Sequence, residues 1–274
     1  FSLIYSGVFN GKAVVVKKLK PEFEGHSFLK AALEKELETH MALNHENVVE
    51  LVGAGLTPRG DRFLVFERLN GGTLTEIFGL QKRMKPFWKQ KELSLLDALR
   101  HARSLADAIQ YCHDKAIPGY MIIHRDLKPD NIAFTEDGRL KLIDFGFAAI
   151  VKRSPPSSET KFRISGNVGT PRYMAPEVAK SQPYNHKADI YSFGLILWAM
   201  LTCRKPFSGK NTRFIYANVW NGKKRPTLDI RWPKSLCKLL KDCWSQNISD
   251  RPGFNEIFLL LDNMISIMEE RKNR

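Results

Sequence analysis

Near residue 70 the hydrophobic period of this chain changes, and that change limits its fold more than any other feature. Before it, "GKAVVVKKL", "NVVELVGAGL" and "RFLVFERL" alternate apolar and polar residues and are rich in β-branched side chains. Such segments predict strands, with one helically spaced stretch between them around residues 26–43. After residue 70, "LSLLDALRHARSLADAIQYCH", "KADIYSFGLILWAMLTC", "SLCKLLKDCW" and "FNEIFLLLDNMISIMEE" carry the spacing of helices. "LNGGTL" places glycines at the change-over and predicts a hinge. The expectation is an α+β, bilobal chain: a small β-rich lobe over 1–66, a hinge over 67–70 and a larger helical lobe over 71–274. A cleft between two such lobes is where a small ligand would sit.

Composition narrows the class. The chain's 274 residues and 43% hydrophobic content are enough for two buried cores. The longest apolar run, "FGLILWAML", is half the length needed to cross a bilayer, so no membrane span is expected. Four cysteines (Cys112, Cys203, Cys237 and Cys243) lack metal-ligand spacing, which fits reduced thiols in a cytoplasmic protein, or a nuclear or tethered one. The chain opens on Phe1 and enters strand-like sequence at once, as expected of a segment from a longer protein. Lysine and arginine exceed aspartate and glutamate by 14. That balance would serve nucleic acid, an anionic surface or a charged small substrate, but the cations are scattered and not interleaved with stacking aromatics. Nucleic-acid binding is therefore the runner-up class.

Residues 122–134, "IIHRDLKPDNIAF", place a charged octet between apolar runs that read as buried strands. A polar loop held by buried strands is a site candidate. It offers Asp126, Lys128 and Asn131 from one short segment. Thirteen positions past Asn131, "LIDFGFA" presents Asp144 before Gly146. Asn131 and Asp144 are hard oxygen ligands of the kind Mg²⁺ takes while keeping phosphate and water, which suits Mg·ATP. Asp126, needing no metal, is free to accept a proton from an incoming hydroxyl, with Lys128 neutralising charge beside it. Lys17 ends "AVVVK"; taken singly it reads as an edge lysine whose stem lies along apolar surface. The next helix changes that reading, because Glu36 shares the face of Leu29, Leu33 and Leu43, and a carboxylate there wants a cation. A lysine tied to a carboxylate can hold phosphate oxygens as a fixed charge.

With these motifs in order along the chain, the sequence resembles a eukaryotic protein kinase domain. "VVVK" is similar to the third-strand lysine motif, "HRDLKPDN" to the catalytic loop, "DFG" to the metal loop, and "APE" at Ala175–Glu177 to the close of the activation segment. The resemblance implies the bilobal kinase fold and an ATP- and Mg²⁺-dependent phosphotransferase acting on proteins. It implies Asp126 as base, Lys128 near the transferred phosphate, Asn131 and Asp144 as metal ligands, and Lys17 on the α and β phosphates paired with Glu36. His124 would be structural, packing the loop, and Arg125 would receive a phosphorylated activation segment. Glu177 would pair with Arg251, and Asp189 would anchor the catalytic loop. The hinge, Glu67, Arg68 and Leu69, would present backbone to adenine, with Phe66 as gatekeeper. Lys128, together with Thr170 in "GTPRYMAPE" bridging base and lysine, is similar to serine/threonine kinases, whereas "CWSQNISDRPGFNEI" resembles the tyrosine-kinase side. Together they imply the tyrosine-kinase-like group of serine/threonine kinases.

The match departs from the family in the nucleotide slot. Aligning Ile4 with the usual valine of the glycine-rich loop puts Ser2 where its third glycine belongs and Phe1 at its tip; the first two glycines fall before the chain begins. Val15 stands for the usual alanine on the roof and Ala133 for the usual leucine on the floor, a pair that would together preserve volume. "SGKNT", from Ser208, lacks the upstream glycine of a phosphate-binding P-loop and is set aside. "KRSPPSSETKFRISGNVGT" places Ser157, Ser158, Thr160 and Ser165 within the activation segment, so activation by phosphorylation is expected, from an upstream kinase or from a second copy in trans. Asp130 is placed to receive a basic residue upstream of the acceptor, although the net charge would steer acidic substrates. "QKRMKPFWKQK" reads as a solvated insertion. The strongest rival is a scaffold with the fold but without transfer, suggested by Ser2 and the altered slot.

Overall fold

The computed structural model describes residues 2–78, 93–153 and 160–272. Phe1, the insertion "QKRMKPFWKQK", Ser157 and Ser158 lie outside the described residues.

Strands β1 (Ser2–Phe9) and β2 (Lys12–Leu19) form a hairpin whose turn, Asn10 and Gly11, has φ of 50° and 74°. Asparagine tolerates and glycine freely adopts that backbone, which matches the twist of paired strands. Helix α1 (Ser27–Met41), β3 (Leu51–Leu56) and β4 (Arg62–Glu67) complete the first lobe. Its sheet is antiparallel in the order β1-β2-β4-β3, and register sets Val15 opposite Phe66 and Lys17 opposite Leu64. α1 packs on β3 and β4, contributing Leu33 to a small core with Leu19, Val49, Leu64 and Phe66.

The second lobe holds α2 (Leu74–Ile77), α3 (Leu95–Asp114), β5 (Tyr120–Ile123), β6 (Ile132–Phe134), β7 (Leu140–Leu142) and β8 (Ala149–Lys152). α4 (Pro176–Ala179), α5 (Lys187–Thr202), α6 (Thr212–Phe214), α7 (Lys234–Cys243) and α8 (Phe254–Lys272) follow. α6 runs on as a wider π-helical stretch over Ile215–Asn221. β5 pairs with β8, and β6 with β7, in two short antiparallel ribbons. Every residue from Ala188 to Met200 is buried, so the apolar run read in the sequence is the central helix of this lobe. No helix among the described residues is long and apolar enough to cross a membrane. All four cysteines are free thiols.

Candidate active site

The charged loop after β5 is held from below. Asp189, buried in the first turn of α5, accepts the backbone N–H groups of His124 and Arg125, each at 2.9 Å, and contacts His113 Nε2 at 2.8 Å. Burial alone would raise its pKa, but the His113 contact and the loop's N–H groups outweigh that and hold it low. Arg125 can then adopt a left-handed backbone, with φ of 68°. His124 is buried and packs against Phe145, ring centroids 4.8 Å apart and tilted by 53°. Burial, opposed by the nearby aspartates, pushes its pKa down, which favours a neutral packing ring.

This platform projects Asp126 into the cleft with only 4% of its surface exposed. Its Oδ2 accepts from Lys128 Nζ, and its Oδ1 accepts the Thr170 hydroxyl at 2.8 Å. Lys128 and Thr170 thus grip the same carboxylate from different oxygens. Thr170 can come so close because Gly169 precedes it with φ of 106°; a Cβ there would lie 2.5 Å from the Arg125 carbonyl oxygen. Asn131 donates Nδ2 to the Asp126 carbonyl at 2.9 Å. That bond fixes the amide so that its oxygen remains an acceptor.

From the other lobe, Lys17 Nζ donates to Glu36 Oε1 and Oε2 at 2.7 and 2.8 Å and to Asp144 Oδ1 at 2.9 Å. Glu36 is 2% exposed, on the inward face of α1 as its spacing predicts. Burial would lower the Lys17 pKa, yet Asp144 and Glu36 together raise it, so the ammonium persists. Burial likewise raises Glu36 in spite of Lys17. For Asp144 burial pushes upward, but the Lys17 charge and the Gly146 N–H bring its pKa to about 2. Asp144 has φ of 63°, a conformation that turns its carboxylate back toward Lys17.

The cleft between the lobes has a volume of about 630 Å³. Ile4 and Val15 line its roof, Ala133 and Ile143 its floor, and Phe66, Glu67 and Leu69 its closed edge. Ser2, Lys128, Asn131, Asp130 and Asp144 also line it, so the residues expected around phosphate and substrate share one space. Among the described residues no cluster of three or more His, Cys, Asp or Glu could hold a metal. Asn131 and Asp144 instead form a pair of hard oxygen donors open to the cleft, a set suited to Mg²⁺ that keeps phosphate and water ligands. Arg125 points to the activation segment: Nη1 donates to Ser165 Oγ at 2.8 Å, and Nε donates to the Phe147 carbonyl. Thr160, also expected to be regulatory, is half-buried ahead of the isolated Phe162–Tyr184 bridge.

Two features were missed by reasoning from sequence. His40, one turn after Glu36 on the same face of α1, packs edge-on against Phe66 at 4.8 Å and Phe145 at 5.0 Å. The His124 ring also meets Phe145, so a chain of ring contacts joins the helix to the catalytic loop. The i, i+4 spacing from Glu36 was the available signal. The second is Lys141 of β7, which contacts Glu67 Oε1 at 2.7 Å and the Val48 carbonyl at 3.3 Å. It lies in a three-residue strand whose pattern gives no hint of a buried lysine.

Residues 1–259 match the family model described as protein kinase domain. The chain is 32% identical to serine/threonine/tyrosine-protein kinase HT1 of Arabidopsis thaliana, covering 98% of this chain and 65% of that protein. It is 33% identical to dual specificity protein kinase shkE of Dictyostelium discoideum over 97% of this chain and 35% of the relative. Serine/threonine-protein kinase 12 of Arabidopsis thaliana is 32% identical, with 97% and 54% covered. The chain therefore spans about a third to two-thirds of the length of these curated relatives.

Proposed function

The chain belongs to the protein kinase domain family, and from that premise we propose that it transfers the γ-phosphoryl group of ATP to serine or threonine hydroxyls of proteins, as a member of the tyrosine-kinase-like group. The observation that carries this reading is the Asp126 carboxylate, gripped by Lys128 and Thr170 in the same cleft as Lys17, Asn131 and Asp144.

The acceptor hydroxyl loses its proton to Asp126, its oxygen forms a bond to the γ-phosphorus, and the bond from that phosphorus to the bridging oxygen breaks to release ADP. Lys128 stands beside the carboxylate to neutralise charge gathering on the transferred group. Lys17, fixed by Glu36, holds the α and β phosphates. Asn131 and Asp144 would hold Mg²⁺, which when bound draws charge from the phosphate oxygens. The hinge backbone at Glu67–Leu69 would take adenine between Val15 and Ala133, with Ile4 above and Phe66 closing the back. Asp130, at the mouth, would orient a basic side chain upstream of the acceptor. Phosphorylation at Ser165, with Thr160 the second candidate, would place new anionic oxygens on Arg125 and order the segment, the phosphate coming from an upstream kinase or a second copy in trans.

The relatives' names include serine/threonine, dual-specificity and serine/threonine/tyrosine kinases, so acceptor identity is the decisive test. The protein is given γ-labelled ATP, Mg²⁺ and a mixed protein acceptor, and the labelled amino acid is identified. Label on serine and threonine is expected. Label on tyrosine as well would replace this reading with dual specificity.

A further inference from the structure

A second recess, unconnected with the cleft in its lining, opens between the loop after α6 and helix α7, with a volume of about 680 Å³. Its apolar surface comes from Leu228, Trp244 and Ile230. Ile230 is 97% exposed, an unusual place for a large aliphatic side chain. Two lysines, Lys223 and Lys241, flank this surface, and no ion pair or side-chain hydrogen bond involves either among the described residues. The one acid in the lining, Asp229, is already neutralised: Arg231 binds its two oxygens at 2.6 and 3.0 Å. The recess is thus an apolar hollow with uncompensated positive charge.

Its wall is tied to the substrate side of the molecule. The Arg225 guanidinium donates to Gln246 Oε1 at 3.0 Å, Gln246 Nε2 to the Trp220 carbonyl at 3.2 Å, and Trp220 Nε1 to the Met174 carbonyl at 3.1 Å. Met174 lies between Thr170 and Glu177, in the stretch that meets Asp126. A partner held in the recess would therefore be braced by the same hydrogen-bonded frame that sets the substrate segment.

We propose that this recess docks a short acidic segment of a protein substrate, inserting one apolar side chain against Leu228, Trp244 and Ile230 while its carboxylates meet Lys223 and Lys241. Charge complementarity selects an acidic partner, and the concave shape favours one inserted side chain over a flat lipid surface. The inference rests on the kinase reading for its word substrate; binding itself does not. It also resolves an opposition in the sequence: the net positive charge would recruit acidic chains here, while Asp130 reads a basic residue at the acceptor.

The test uses short dye-labelled peptides in which one leucine or phenylalanine is flanked by aspartate and glutamate. In two controls the acids become lysine or the apolar residue becomes serine. Anisotropy without ATP should show binding of the acidic-apolar peptides only. Lys223→Glu with Lys241→Glu, or Ile230→Asp alone, should weaken it by about tenfold, and added salt should weaken it too. Fusing such a segment to an acceptor peptide should lower KM by about tenfold with kcat unchanged, and the charge reversals should erase that gain without altering phosphorylation of the unfused acceptor. Binding no better than the controls, or binding that survives charge reversal, would overturn the proposal. So would preferential capture of phosphatidylserine vesicles lost in the same variants, which would make the recess a lipid site. Lack of phosphorylation of the unfused acceptor counts against the kinase reading alone, since anisotropy judges the recess separately.

Discussion

Lys17 has three oxygen acceptors, two on Glu36 and one on Asp144. It would therefore keep a fixed position on Glu36 if Asp144 turned to a metal. Replacing it with methionine leaves Glu36 buried without its cation, and transfer should fall by roughly 10²–10³-fold, read as kcat at saturating ATP. The charges of Lys17 and Asp144 persist around neutral pH. Asp144, with a pKa of about 2, lies below its unfolded value, so its contribution is present above about pH 4 and lost as pH falls toward 2. Lys17 is raised, so its contribution is present below about pH 10 and lost above. A profile of kcat/KM from about pH 6 to 8 should show no break that Lys17→Met or Asp144→Asn removes. Ala133 lines the floor opposite Val15. Enlarging it to leucine should raise the Kd for ATP by about tenfold, from overpacking of roughly 1–3 kcal/mol, and calorimetric titration with unchanged affinity would remove the compensation argument. Lys17, Glu36 and Asp144 were legible because each sits at a readable phase of a strand, helix or loop. His40 was not, since a histidine on an apolar helix face has no pattern that distinguishes packing from chemistry.

At the scale of elements, the most telling link joins α4 to the turn before α8. Arg251, fully buried, donates Nη1 and Nη2 to Glu177 at 2.6 and 2.9 Å. Arg251→Met would strand a buried carboxylate and should cost about 3–5 kcal/mol, seen as a lower Tm; pairing it with Glu177→Leu should recover part of that loss. The activation segment shows the opposite economy. Arg125 meets Ser165 through one hydroxyl at 2.8 Å, and a phosphate there would offer several anionic acceptors. Phosphatase treatment or Ser165→Ala should lower kcat, whereas equal activity after complete dephosphorylation would contradict regulation through this contact. The long helices and the strands β2, β3 and β4 were readable, because their periods persist over several turns or pairs. β8 was not, as four residues gain strand geometry only by pairing with β5. The π-helical stretch was not either, since Ile215–Asn221 carries apolar residues at a spacing that an ordinary helix would also show.

The whole molecule is two lobes that converge their charged groups on one space. Lys17, Glu36 and Phe66 come from the first lobe; Asp126, Asn131, Ala133 and Asp144 come from the second. Fold class was legible from the period change at residue 70, and the site from four motifs in order. The distance between those motifs in space was not, because it depends on packing between the lobes, including the contacts of the His40 ring with Phe66 and Phe145. The recess beside α7 was equally hidden, since Lys223, Ile230 and Lys241 look like scattered surface residues until the loop folds against the helix. The most direct measurement of the central claim is transfer of γ-labelled phosphate to a protein acceptor by the native chain, by Asp126→Asn and by Lys17→Met. The account predicts labelled serine and threonine from the native chain and a loss of about 10²–10⁴-fold in Asp126→Asn. Transfer undiminished in Asp126→Asn, or none from a native chain that binds ATP and carries a phosphorylated activation segment, would contradict it and leave a nucleotide-binding scaffold.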